Sequence, residues 1–281
     1  MKKLRQDAEK APVTNIVIVL LLVVGFASFP VRETAEMLSV EYTQINRYLF
    51  TAAFRAIFCA VMLYLIYAYG FQRALKPKIG KIRIMIPCFL VVINNFPVIA
   101  LATGDAKITA EAGVIALYLL QTFFIAAFEE LAFRGIVFPL CRIGFRKKKY
   151  ALFWSAAVSS ALFGGVHLVN LIGGAALGSV LLQVGYSFLL GGMCAVTLIE
   201  TQSLLMPVTL HFLFNAGGLL VEELGTGNIV NTPTVFITVI LAVAVTTLML
   251  YCVFTAEREA VDALYAVKEE DGETVGDDRA E

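Results

Sequence analysis

Phe128-Glu129-Glu130-Leu131-Ala132-Phe133-Arg134-Gly135 closes an apolar run that begins near Ala112, and it sets charge where charge is costly. One ionised side chain at the centre of a bilayer costs roughly 2.5–3.5 kcal/mol on insertion scales. This stretch carries three. On a helix Glu130 and Arg134 are four residues apart, so they share a face and neutralise each other. Glu129 is turned about 100° away from Glu130 and falls out of register with that pairing. The stretch therefore reads as a membrane helix in which one carboxylate has a structural partner and the other, Glu129, is a candidate functional group.

The rest of the chain has the same character. Of 281 residues 59% are hydrophobic and 16% charged, with a mean hydropathy of +0.81. That composition predicts an all-α polytopic membrane protein, a single membrane domain over residues 1–281 with membrane lipid as its surroundings. The formal net charge of zero hides an asymmetry, with basic residues in short loops and acidic ones in the C-terminal tail, 257–281. No basic face with interleaved aromatics exists, which excludes a nucleic-acid partner. The five cysteines (Cys59, Cys88, Cys141, Cys194, Cys252) fall singly in five apolar stretches. Their odd number and lack of ligand spacing make them small buried hydrophobes rather than a disulfide or metal framework.

Outward from the opening stretch, the pattern predicts eight spans. The first, Ala11–Val31, follows Lys2, Lys3, Arg5 and Lys10. This start is signal-like, with Gly25-Phe26-Ala27 as a small-residue site, but the run is long enough to span and is expected to be retained. The second extends from about Tyr48 to Gln72, with Arg55 near its start and able to snorkel to the interface. The third, Ile84–Gly104, is interrupted by Pro87 and Pro97. The fourth carries the charged stretch, and Gly135 and Pro139 predict that it bends or breaks soon after Arg134. From Tyr150 to Ile199 there is no Asp, Glu, Lys or Arg. Gly173, Gly174 and Gly178 divide that run into a fifth helix to about Leu168 and a sixth from about Leu181. The seventh is Thr201–Val221 and the eighth lies within Leu224–Ala256. Glu257–Glu270 has the spacing of an interfacial amphipathic helix. The acidic stretch after Asp271 has the composition of a disordered tail.

Both histidines of the chain lie in uncharged spans: His167 in Phe163-Gly-Gly-Val-His167 and His211 in His211-Phe-Leu-Phe-Asn215. His211 and Asn215 share one helical face, and Phe163 stands one turn before His167. Imidazoles and amides in membranes also serve as interhelical glue, but both histidines together with Glu129 and Asn215 favour a site. Ser159 and Ser160 precede His167 without a Gly-x-Ser-x-Gly turn, so no serine nucleophile is expected. Counted at 1.5 Å per residue along straight helices, His211 would lie ~12 Å, Glu129 ~18 Å and His167 ~25 Å from the cytoplasmic ends. A bend, a tilt or a helix that begins deeper is needed to bring them together.

These three motifs, Glu129-Glu130-x-x-x-Arg134-Gly135, Phe163-x-x-x-His167 and His211-x-x-x-Asn215, resemble in kind and order those of the CAAX-protease and bacteriocin-processing (Abi) family of intramembrane endopeptidases. The resemblance covers about residues 112–220, within a motif-bearing core of 112–221. It implies that Glu129 and His167 activate a water, that His211 and Asn215 receive the oxyanion, and that Glu130, Arg134 and Phe163 support them. The substrate it implies is a membrane-associated or lipidated peptide, of Cys-a-a-X type or a bacteriocin precursor. It favours a metal-free site; the alternative is zinc on Glu129, His167 and His211, although His-Glu-x-x-His is absent.

A non-catalytic bacteriocin-immunity or peptide-sequestering protein is the alternative function. A transporter relaying protons through the same residues lacks the expected repeats. The positive loops at 73–83 and 142–149 place both termini in the cytoplasm, in a prokaryotic plasma membrane by the compactness of the loops. A cysteine at Lys148 should then react with impermeant thiol reagents from the cytoplasmic side only, and one at Glu36 from outside only; the opposite pattern would invert the topology.

Overall fold

Within a bilayer only bonds made inside the segment satisfy the backbone, so long uncharged runs fold as helices. The structure, a computed structural model, describes residues 2–78, 81, 85–229, 232–256 and 258–265. In chain order the helices are α1 (Lys2–Lys10), α2 (Pro12–Ala27), α3 (Val31–Met37) and α4 (Gln44–Tyr69), then α5 (Ile86–Asn95) and α6 (Val98–Thr103). Strand β1 (Ala106–Ile108) precedes α7 (Ala112–Ala132), a π turn (Phe133–Val137) and α8 (Phe138–Gly144). Next come α9 (Ala151–Gly165), a 3-10 turn (Val166–Leu171), α10 (Leu177–Thr201), α11 (Leu205–Gly218) and α12 (Leu220–Leu224). Strand β2 (Gly225–Gly227), α13 (Thr232–Thr255) and α14 (Arg258–Tyr265) complete the described chain.

The protein is thus an all-α membrane protein. Among the described residues five helices are long and apolar enough to cross a membrane, or six if α1 and α2, bent by 115° at their junction, count as one span. The third and seventh expected spans are built from shorter pieces. Pro97 ends α5 and separates it from α6. The seventh divides at Leu219. The break expected from Gly173, Gly174 and Gly178 is present between the 3-10 turn and α10, where Gly174 takes a φ of +85° open to glycine. α4 packs along α7, α11 lies against α7, α10 and α5, and α9 pairs with α10. Large apolar side chains of α13, among them Phe236, Ile240 and Val243, face outward.

Of the bend or break expected after Arg134, the break is corrected. Ala112–Gly144 continues as one run of 33 residues, widened rather than broken at the π turn. There the Phe138 N–H reaches back five residues to the Phe133 carbonyl. In that register Pro139 would be the next donor, but it has no N–H, and the Arg134 carbonyl is left over. Tyr265 Oη, fully buried, donates to it at 3.0 Å.

Tyr265 arrives on α14, which also departs from expectation. The amphipathic stretch does not lie free in the interface; Val261, Leu264 and Tyr265 are buried against the bundle. Arg142, expected in a basic loop, pairs with Asp262 at 2.6 Å with both side chains nearly inaccessible. An apolar stripe suits a protein groove as well as a lipid surface, and periodicity does not choose between them. Arg5 donates to the Tyr265 carbonyl at 3.0 Å and Arg73 to that of Ala263 at 2.8 Å, which gathers the expected basic segments at one end. The opposite end is tied by the antiparallel pairing of β1 with β2. Residues 79, 80, 82–84 and 257, and the expected acidic tail from residue 266 onward, lie outside the described residues.

Replacing Tyr265 by Phe deletes the hydroxyl that donates to the Arg134 carbonyl. A buried carbonyl without a donor costs about 1–3 kcal/mol, so the Tm of the variant in detergent should fall. An unchanged Tm would show that α14 does not brace the π turn.

Candidate active site

Glu130 faces the interior because its helical position points between α10 and α11. It is fully buried, and its Oε1 accepts from Arg134 Nη1 at 2.8 Å and meets His211 Nδ1 at 2.7 Å. Arg134 is equally buried, and its Nη2 donates to the Gly191 carbonyl at 2.8 Å. A Cβ at Gly191 would stand 3.1 Å from that Nη2, so the glycine lets the guanidinium approach the α10 backbone. Phe163 lies under the same group, its ring 4.6 Å from Arg134 Cζ and edge-on to both imidazoles, 5.4 Å from His167 and 5.6 Å from His211.

Glu129 points elsewhere. Its side chain is 23% exposed, and its Oε2 lies 3.6 Å from His211 Nε2, just beyond a hydrogen bond. It lines a cavity of about 690 Å³ with His167, Phe128, Phe133, Val23 and Arg55. His167 Nδ1 lies 3.0 Å from the Phe163 carbonyl, to which it can only donate. In the neutral ring Nε2 then keeps its lone pair as a proton acceptor. His211 has the same logic: with Nδ1–H on the Glu130 carboxylate, Nε2 is an acceptor in the neutral ring and a donor only in the imidazolium.

The depth mismatch is resolved in two ways. The α8 extension sets Glu129 fifteen residues from Gly144, about 22 Å along the helix and close to the level of His167. On α11, whose lead-in Thr201, Ser203 and Leu204 is buried and bonded to the Ala74 carbonyl, the contacts of His211 with Glu130 and Glu129 set it at that same level. Glu129, Glu130, Arg134, Phe163, His167 and His211 come together. Asn215 does not join them in the larger cavity; it lines an adjoining one of about 300 Å³ with Gln121, Thr122, Arg47 and Arg55.

Sequence reasoning misplaced Arg55. The expected position near the start of its span is wrong because α4 begins at Gln44, a turn earlier than Tyr48. Arg55 therefore sits eleven residues into the helix, donating to the Phe26 carbonyl at 2.8 Å and the Ala27 carbonyl at 3.2 Å. Its isolation among apolar residues was the available signal. Ser160 behaves as expected, its Oγ bonding back to the Ala156 carbonyl at 2.7 Å, whereas the buried Ser159 Oγ has no hydrogen-bond partner. Among the described residues no three His, Cys, Asp or Glu side chains are grouped closely enough to hold a metal.

Fold and site define a helical membrane protein with a carboxylate–imidazole centre inside the bundle. Residues 111–217 match the family model described as type II CAAX prenyl endopeptidase Rce1-like. The motif-bearing stretch, less than half of the chain, is thus of the CAAX-protease and bacteriocin-processing family. No curated protein and no solved structure matches the chain.

The two adjacent glutamates should separate by stability. Glu130→Gln or Arg134→Ala leaves a buried charge without its partner, a loss of about 3–5 kcal/mol, read as reduced Tm or yield in detergent. Glu129→Gln, which breaks no hydrogen bond, should unfold at or above the wild-type temperature. The reverse order would exchange the two assignments.

Proposed function

We propose that the protein is an intramembrane endopeptidase that hydrolyses a peptide bond of a membrane-associated substrate of the CAAX type, using a water activated by Glu129 and His167. The observation that carries this reading is the division of labour between the adjacent carboxylates. Glu130 is engaged through Oε1 by both Arg134 and His211, whereas Glu129 faces a cavity shared with a histidine whose Nε2 is open.

Hydrolysis requires a base for the water, donors for the oxyanion and a proton for the leaving amine. Glu129 takes the proton of a water that also donates to His167 Nε2, and the hydroxide attacks the substrate carbonyl. The protonated Glu129 then delivers that proton to the departing nitrogen. His211 in its imidazolium form donates from Nε2 to the oxyanion, and Asn215 donates from the smaller cavity. Loss of one such donor lowers kcat by about 10²–10³-fold. Glu130, Arg134 and Phe163 hold the two imidazoles. No step needs a metal. The peptide-sequestering alternative shares the cavity but predicts no turnover.

The test is cleavage of a peptide ending in a prenylated Cys-a-a-X sequence by purified protein in lipid. Wild type should cut it, with rate unchanged by strong chelators, and Glu129→Gln or His167→Ala should be folded yet slower by at least about 10²-fold. Loss of activity in EDTA restored by zinc would overturn the metal-free mechanism. Binding of the peptide without cleavage by wild type would establish sequestration.

A further inference from the structure

Gln121 is a buried polar side chain that the proposed chemistry leaves unused. It is only 8% exposed and lines the smaller cavity. The other buried polar residue on that wall, Thr122, is satisfied, its Oγ1 donating to the Tyr118 carbonyl at 2.8 Å. The charged groups there are engaged as well: Arg47 with Glu223, and Arg55 with the Phe26 and Ala27 carbonyls and with Glu129. Among the described residues Gln121 has no side-chain hydrogen-bond partner, and neither has Asn215, which shares the cavity. A carboxamide held inside a membrane protein without a partner forfeits the bonds that water would give it. An apolar residue would serve the helix at no such cost.

The position of Gln121 follows from helix geometry. Gln121, Ile125 and Phe128 form one stripe of α7; the first two border the smaller cavity, and Phe128 with Glu129 borders the larger. Tyr118, one turn before Gln121, donates to the Ala216 carbonyl at 2.9 Å and so clamps α7 to α11 beside Asn215. The two cavities adjoin, since Ala27 and Arg55 border both. Eight residues separate Gln121 from Glu129, about 12 Å along the helix. An extended chain advances about 3.3–3.6 Å per residue, so a strand leaving the scissile bond passes Gln121 about three residues on. A residue in such a strand turns its N–H and C=O to the same edge. A carboxamide offers one acceptor and one donor side by side, which matches that edge.

We propose that Gln121 grips the main chain of the substrate, Oε1 accepting the N–H and Nε2 donating to the C=O of one extended residue about three positions from the cut. This rests on the endopeptidase reading and deepens it. The substrate class becomes peptides that are extended on that side of the cut and carry an N–H at that residue, which excludes proline there. Main-chain bonds of this kind give affinity whatever the side chains are.

The experiment replaces each peptide unit of the prenylated peptide, other than the scissile one, by an ester in turn, which deletes one N–H at a time. Wild type should lose about 10-fold in kcat/KM at one position, mostly through KM, the scale of a lost neutral hydrogen bond with its partner left unpaired. Gln121→Met should cut the all-amide peptide about 10-fold more slowly and be indifferent to the ester at that position, while responding like wild type to the others. Its Tm in detergent should equal or exceed that of wild type, because a polar group without a partner is gone. A structural role for Gln121 would instead lower the Tm and leave the ester profile unchanged. Gln121→Ala is the second variant; failure of both to accumulate would show that the carboxamide has a partner inside the protein and overturns the proposal. An ester scan without a position coupled to Gln121 also overturns it, and leaves the endopeptidase intact. Calorimetry of the amide and ester peptides on Glu129→Gln protein gives a readout without turnover. A preference there for the amide that Gln121→Met abolishes supports the grip even if wild type cleaves nothing, in which case only the endopeptidase reading fails.

Discussion

Everything at the centre of this protein depends on the buried contact of Glu130 with Arg134 and His211. It joins three helices at one point: the carboxylate and guanidinium come from the α7 run, the imidazole from α11, and the Gly191 carbonyl that receives Arg134 from α10. A buried ion pair seldom adds net stability over apolar packing of the same shape, because desolvation consumes the Coulomb gain. Its effect is on register. Sliding α11 by one residue along α7 would remove His211 from Glu130 and strand two charges, whereas aliphatic packing would tolerate the shift. The pair thus fixes His211 relative to Glu129, a geometry that apolar side chains alone would leave loose.

Phe163 extends that control to the fourth helix. Its ring touches Arg134 on its face and both imidazoles at its edge, and its own carbonyl receives the His167 Nδ1. One residue therefore sets the ring orientation of His167 through the side chain and its tautomer through the backbone. Such contacts preorganise a site within the low dielectric of the bundle, where misdirected dipoles are expensive.

Much of this was legible in the sequence because it follows from helical arithmetic. The spacing of Glu130 and Arg134 gave their pairing, and the 100° step to Glu129 gave its different environment. The glycines at 173, 174 and 178 marked a real interruption. What escaped is long-range. Nothing local in Tyr265 indicates that its hydroxyl completes a helix 131 residues earlier in the chain. Arg55 was misplaced because Gln44-Ile-Asn-Arg47 reads as loop, although Thr43 caps it by accepting from Asn46 N. Asn215 shares a face with His211, but one turn along α11 is enough to place it on the smaller of the two cavities.

The π turn connects these omissions. Such turns insert a residue into a helix and are frequent at functional sites. Here Phe133–Val137 begins immediately before Arg134, so the Glu130–Arg134 pair spans the junction between ordinary and widened helix. A helix kept regular to Pro139 would meet the usual clash of the ring with the carbonyl four residues back. Widening relieves that clash but leaves the Arg134 carbonyl without a donor, and the defect is closed by a side chain from the last described helix. The backbone that holds Arg134, and through it Glu130 and His211, is therefore completed only when α14 has docked. Assembly of the site is in this way coupled to a helix that lies outside the matched stretch, residues 111–217.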